Sequence, residues 1–208
     1  MKPGPFTQWL ALLARVDGAT LIVIVRALRE ARILPVGARG MNALEVDGDY
    51  LAKVLIARMA TDKPARTVEC YTRFANMQLA NPDMHWLVES KLPDPDHTLL
   101  DLFRVICDPE TTLPKKEKFV CTFTGQAEAT LRFGRKTLFY IDRAEMAAGL
   151  QALEAANDDP ALESAFYRHV IASPMSTHGI IEARSFTSAW LEGAKRSVFH
   201  DHNPDEVK

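Results

Sequence analysis

The chain has few cysteines and no long apolar run. Its 208 residues include only three cysteines, an odd number at wide spacing: Cys70, Cys107 and Cys121. This pattern predicts neither a disulfide framework nor a thiolate metal site, and it is typical of a reducing compartment. No apolar run approaches the about 18 residues that a membrane span needs; Leu21–Val25, for example, has five. We therefore expect a soluble protein with no membrane partner.

A secretion signal and a large net charge are also missing. Residues 1–5 contain no apolar signal core that ends in a small-residue cleavage site, so we expect a cytoplasmic protein. The formal net charge is only −2. Its distribution is uneven, because residues 1–41 hold six basic and two acidic side chains while the remainder is net acidic. Positive charge concentrated in one segment favours contact with nucleic acid.

Motifs of the common catalytic classes are lacking as well. There is no G-x-S-x-G, no phosphate-binding P-loop and no G-x-G-x-x-G. Hydroxyl groups precede His178, but no orienting acid can be assigned to them. His97 and the His200/His202 pair lack the helical spacing of metal ligands. We expect no enzyme, no catalytic residue, no metal and no cofactor.

What the chain does have is an ordered pattern near its N-terminus. Apolar spacing predicts a helix over Phe6–Val16, and Asp17 is suited to cap a second helix over Ala19–Leu34. Pro35 is expected to end that helix. A loop with two glycines then leads to a predicted return strand over Asn42–Val46.

Beyond this segment the pattern is mainly helical with one β-rich part. Asp49 is predicted to cap a helix over Tyr50–Ala60, and further helices are predicted over Lys63–Leu79 and Leu99–Cys107. Alternating segments predict three strands, the last two forming a hairpin around residues 134–136: Lys118–Thr124, Ala129–Phe133 and Thr137–Ile141.

The C-terminal part is predicted to be helical again. Asp142 and Glu145 have the spacing of a capping box for a helix to about Ala156, and a last helix is predicted over Ser185–Val198. The expected fold class is α+β, mainly helical. We divide it into an N-terminal domain at 1–80, a connection with a short helix at 81–117, a C-terminal α+β domain at 118–199 and a flexible tail at 200–208. The C-terminal domain is expected to serve oligomerisation or partner binding.

The segment RALREARILPVGARG resembles the end of the recognition helix and the wing of winged helix-turn-helix DNA-binding proteins. More narrowly, it is similar to uncharacterised proteobacterial, prophage-associated proteins with the pattern R-x-L-R-E-A-G-hydrophobic-hydrophobic-P-x-G-G-R-G. In those proteins a helix resembling YLAKVLIARMATD follows. The similarity covers roughly residues 10–65 and implies an N-terminal winged helix-turn-helix-like domain. It also implies binding of double-stranded DNA as a homo-oligomer in the bacterial host cytoplasm, by a transcriptional regulator of phage or prophage type.

The resemblance implies a set of DNA contacts. In a helix-turn-helix the second helix enters the major groove, and the wing contacts the backbone or the minor groove. The expected phosphate contacts are Arg15, Arg26 and Arg29. Thr20 and Ile22 are expected to face the groove, and Arg39 is the expected wing contact. The hairpin supplies a possible second basic contact at Arg132, Arg135 and Lys136.

Two alternatives remain open. The small terminase subunit of a tailed phage also places a helix-turn-helix near its N-terminus and assembles into a ring, which light scattering distinguishes from a dimer. The other alternative is a protein-interaction module whose helix-turn-helix has lost DNA binding. The mainly apolar start of the second helix, Ala19–Val23, favours this last interpretation.

Overall fold

The computed structural model describes ten stretches of the chain: residues 2–13, 17–36, 45–61, 63–80, 96–111, 119–124, 128–133, 136–144, 147 and 183–199. Six α-helices lie in them: α1 Pro3–Leu13, α2 Gly18–Glu30, α3 Gly48–Ala60, α4 Thr67–Ala75, α5 Leu99–Cys107 and α6 Ser188–Phe199. Five strands complete the described part: β1 Gln78–Leu79, β2 Phe119–Thr124, β3 Glu128–Phe133, β4 Lys136–Ile141 and β5 Ala183–Thr187. The fold is therefore α+β and mainly helical, as expected. No helix among these residues is long and apolar enough to span a membrane.

Helix α2 begins as predicted and ends earlier than predicted. Asp17 caps it, since its Oδ2 accepts the Thr20 N–H at 3.0 Å. The predicted end at Pro35 is wrong, because the helix stops at Glu30 and Arg32 takes a left-handed φ of 58°. Two backbone bonds close this turn, from the Arg32 N–H to the Arg29 carbonyl and from the Ile33 N–H to the Leu28 carbonyl, both at 2.9 Å. This is the Schellman arrangement of a helix C-terminus.

The predicted return strand at 42–46 is not supported where it can be checked. Glu45 and Val46 are not in a strand, and residues 42–44 lie outside the described residues. Val46 is buried and joins the hydrophobic core instead. Val46 thus packs into the core just ahead of α3.

Helix α3 occupies the centre of the helical layer. Its cap is Asp47, whose Oδ1 accepts the Tyr50 N–H at 2.7 Å, so the predicted cap Asp49 is wrong. Asp49 lies in the first turn and instead forms ion pairs with Lys53 and with Arg104 of α5. Burial raises the pKa of Asp49, but hydrogen bonds from these two cations outweigh it, so that the pKa is lowered.

The first three helices pack against one another. Helix α2 contacts both α1 and α3. An edge-to-face ring contact between Phe6 and Tyr50, with centroids 5.6 Å apart, connects α1 to α3. The helix near residues 50–60 therefore completes a three-helix arrangement around α2.

The helix predicted over Lys63–Leu79 is interrupted. A 3₁₀ turn at Pro64–Arg66 leads into α4, which ends at Ala75. Gln78 and Leu79 then form β1, because their backbone pairs with Ile141 and Tyr140 of β4. This pairing across the chain overrides the helical preference of the segment.

The strands form one antiparallel sheet in the order β1-β4-β3-β2-β5. The predicted hairpin is confirmed, since β3 and β4 pair in register from Glu128↔Ile141 to Phe133↔Lys136. Side chains on one face are buried against the helices: Cys121, Phe123, Ala129, Leu131, Leu138 and Tyr140.

The last helix begins later than the sequence pattern predicts. Residues 185–187 belong to β5, which pairs with β2, and α6 begins only at Ser188. Of the helix predicted from its cap Asp142 to Ala156, residues 142, 143, 144 and 147 are described; residue 142 lies outside the helix, and the other three are helical.

The buried residues form one continuous hydrophobic core. It includes members from the helices of the predicted N-terminal domain and from the sheet of the predicted C-terminal domain, such as Ile56 and Phe123. Phe123 also stacks on Phe74 of α4, with ring centroids 4.9 Å apart. The division of the chain at residue 80 stays a prediction.

Candidate nucleic-acid interface

Helix α2 buries one side and exposes the other. Its buried side consists of Leu21, Ile24, Val25 and Leu28. The opposite side, which we call the outer face of α2, consists of exposed residues at helical spacing: Ala19, Ile22, Val23, Arg26 and Glu30. Ile22 and Val23 are 52% and 46% exposed, which is unusual for branched apolar side chains of this size. The outer face is therefore apolar in its first half and charged in its second half.

The first turn of α2 is held by Asp17. The Thr20 hydroxyl donates to the same Asp17 oxygen as the Thr20 N–H does, at 3.2 Å. The hydrogen bond from the Thr20 N–H, followed by one from the Ala19 N–H, lowers the pKa of the exposed Asp17 carboxyl. Because its proton is committed to Asp17, Thr20 offers a base edge an acceptor rather than a donor. Ile22 can offer only apolar contact with a thymine methyl group.

Arg26 lies on the outer face and forms an ion pair on its own helix. Its Nε donates to Glu30 Oε1 at 2.7 Å, with the two side chains 77% and 63% exposed. This hydrogen bond raises the pKa of Arg26, which stays cationic. Exposed ion pairs at this spacing contribute little to stability, because water screens them. A phosphate that binds Arg26 and displaces Glu30 would therefore cost the protein little stability.

Arg29 is held differently, by a neutral group. Its Nη2 donates to the phenol oxygen of Tyr50 on α3 at 3.0 Å. Burial raises the pKa of Tyr50, while the Arg29 cation lowers it in part, so the phenol is neutral at pH 7. Arg29 therefore has a fixed direction, and Tyr50 leaves its positive charge uncompensated.

Arg32 was not among the predicted contacts. It lies in the turn after α2, is exposed, and has the only positive φ of a non-glycine residue among the described residues. Together with Arg26 and Arg29 it gives the C-terminal end of α2 an arginine at every third position. No sequence signal distinguished Arg32 from an ordinary exposed arginine, because its special feature is its backbone conformation.

Two predicted contacts cannot be placed. Arg15 and Arg39, expected to contact a phosphate and to form the wing contact, lie outside the described residues. The described structure thus includes four predicted α2 contacts, which it brings together on one helix: Thr20, Ile22, Arg26 and Arg29.

The second basic spot is only partly described. Arg132 is exposed on β3, on the sheet face opposite the core, and pairs in register with Val120 and Thr137. Lys136 begins β4, whereas Arg135 lies outside the described residues. Arg132 belongs to the sheet, and the arginines of α2 belong to the helical layer.

The interior holds titratable groups that have structural partners. His97 Nε2 and the Tyr140 hydroxyl share a buried hydrogen bond of 2.6 Å. Burial raises the pKa of the Cys107 and Cys121 thiols, which keeps them protonated. Within the described ranges, no group of three or more His, Cys, Asp or Glu side chains could hold a metal ion. The outer face of α2, together with Arg29 and Arg32, is the part of the described surface that most needs a functional explanation.

Comparisons with protein-family models, with curated proteins and with solved structures give no significant match.

Proposed function

We propose that the protein binds double-stranded DNA through α2 and acts as a regulator of phage or prophage type. The observation that carries the proposal is the state of Arg29, a guanidinium directed by a neutral phenol. A guanidinium held in place loses less conformational entropy when it binds a phosphate than a freely rotating one does. Arg29 is thus suited to a fixed phosphate contact.

The remaining contacts follow from the geometry of α2. Arg26 lies one turn before Arg29, at the spacing of neighbours on a helix surface. Together they can contact phosphates of one strand while the first half of the outer face enters the groove. Because that half offers Ile22, Val23 and a Thr20 acceptor, base discrimination would be weak. Affinity would then depend mainly on phosphates and on DNA shape.

The test is the salt dependence of duplex binding. A mixed-sequence duplex is titrated at salt concentrations between about 50 and 200 mM with wild type and with the Arg26→Ala/Arg29→Ala double variant. Each lost phosphate contact lowers the slope of log affinity against log salt by about 0.9, so the double variant should lose about 1.8. Absence of wild-type binding at about 50 mM would exclude the proposal.

A matched control removes the same charge elsewhere. Arg66 forms an exposed ion pair with Glu69 at 2.7 Å, much as Arg26 does with Glu30, and Arg196 is exposed on α6. The Arg66→Ala/Arg196→Ala variant should keep the wild-type slope. An equal loss in both variants would mean that net charge, and not α2, determines binding.

A second candidate function is protein interaction through the same face. The exposure of Ile22 and Val23 favours it, because exposed apolar side chains that lie together mark partner surfaces. In this version the wild type binds no duplex even at low salt. The Ile22→Ser/Val23→Ser variant would then lose self-association or partner binding while its fold is preserved.

A further inference from the structure

We infer that Arg32 is a third phosphate-binding residue, placed outside the helix by a backbone conformation that arginine rarely adopts. The inference rests on the proposed function and adds a residue to its interface. Its starting point is the φ of 58° at the turn that ends α2.

The conformation is required by the fold. The chain must reverse after Glu30 so that Leu34, which is fully buried, reaches the core. The reversal uses the bonds from the Arg32 and Ile33 N–H groups to α2 carbonyls. The residue in this position must be left-handed, and glycine adopts that conformation without the steric cost of a Cβ.

Arginine at this position has no described intramolecular role for its head group. Within the described part of the chain, the Arg32 guanidinium forms no hydrogen bond or ion pair, and the side chain is exposed. A cation near a helix C-terminus does interact favourably with the helix dipole. Lysine or arginine anywhere in the last turn would supply that interaction without the strained backbone.

The position is suited to an external anion. Arg32 follows Arg29 by three residues, as Arg29 follows Arg26, and no carboxylate in the described part of the chain lies within 4 Å of either Arg29 or Arg32. A phosphodiester strand that contacts Arg26 and Arg29 would reach Arg32 next. Because Arg32 lies beyond the helix, it can contact the backbone where the strand leaves the groove.

The test uses a substitution whose effects on stability and binding are expected to differ in sign. Arg32→Gly removes the strain and the charge together, so its urea midpoint should equal or exceed that of wild type. Its affinity for the duplex should fall several-fold, with a salt slope lower by about 0.9. Arg32→Lys should keep the slope, and Arg32→Asn, which tolerates a left-handed backbone without charge, should bind as Arg32→Gly does.

The outcomes separate the two proposals. Wild-type binding with an unchanged slope in Arg32→Gly would overturn the role of Arg32 and leave the proposed function standing. A loss of slope in Arg32→Lys equal to that in Arg32→Gly would also overturn it, because charge would not be the cause. No wild-type binding at about 50 mM salt would overturn both proposals.

Discussion

Helices α2 and α3 begin alike and end up in different surroundings. Each has 13 residues, begins with an Asp-Gly pair and uses the aspartate to accept the N–H three residues on. Yet α3 buries eight of its residues and α2 only four. A helix that buries most of its residues belongs to the core, whereas one with a single buried side has a surface available for partners. The comparison gives α3 a place in the core and leaves α2 the exposed surface on which the proposed function depends.

The largest difference in the free energy of unfolding should appear when the same isoleucine-to-alanine substitution is made in each helix. Ile56 on α3 is fully buried, while Ile22 on α2 is half exposed. Ile56→Ala should lower the free energy of unfolding by about 2–5 kcal/mol, because it leaves a cavity. Ile22→Ala should change it by less than about 0.5 kcal/mol. Urea denaturation followed by circular dichroism measures both.

Equal losses at the two positions would break the comparison. A large cost at Ile22 would mean that another part of the protein, or a second copy, covers the outer face of α2. Repeating the Ile22→Ala measurement at several protein concentrations separates these cases, since only self-association makes the cost depend on concentration.

A smaller difference is expected at the two glycines that follow the caps. A Cβ at Gly48 would lie 3.1 Å from both the Asp108 Cα and the Cys107 carbonyl oxygen, which are backbone atoms at the end of α5. Gly48→Ala should therefore cost about 1–3 kcal/mol. A Cβ at Gly18 would meet only Ala11 Cβ, at 3.9 Å. Gly18→Ala should stabilise by about 0.4–1 kcal/mol through reduced entropy of the unfolded chain.

The same unfolding titrations check the glycine pair. If Gly48→Ala is also stabilising, the end of α5 can move away from α3, and the close approach there is not a constraint. If Gly18→Ala is destabilising, the junction between α1 and α2 is packed more tightly than a contact of 3.9 Å implies.

The two helices also show what sequence reasoning can predict. Local signals were sufficient where a cap and an apolar stripe lie close together: the start of α2 at Asp17, and both ends of α5. They failed where a non-local contact decides the structure. Strand β5 forms because it pairs with β2, more than 50 residues earlier in the chain, whereas the local pattern predicts a helix from Ser185 onward.

The candidate interface was predictable to a similar extent. The resemblance implies contacts at Arg26 and Arg29, and both residues lie on α2, with Arg26 exposed and Arg29 half-buried. It could not reveal that Tyr50, 21 residues further on, holds Arg29. Nor could it single out Arg32, since positive φ is signalled in sequence by glycine or asparagine and not by arginine.

The smallest expected effect is the pH dependence of the α2 cap. Hydrogen bonds from the Thr20 and Ala19 N–H groups lower the pKa of Asp17 below its value of about 3.9 in the unfolded chain. A carboxyl with a lowered pKa stabilises the fold above its unfolded pKa, and this contribution is lost as the pH falls through the folded value. Asp17→Asn keeps a good cap but cannot titrate. The difference in urea midpoint between wild type and Asp17→Asn should therefore shrink as the pH is lowered from about 5 toward 2.

Wild type must be compared with Asp17→Asn at each pH, because other carboxyls titrate over the same pH range. Asp49 and Asp101 also have lowered pKa values, since hydrogen bonds outweigh the opposing effect of burial. Their losses occur in both proteins and cancel, provided that they do not interact with Asp17. Parallel midpoints at every pH would show that the Asp17 charge contributes nothing to α2. In that case a neutral residue is sufficient at the cap, and the negative charge of Asp17 has no structural role in α2.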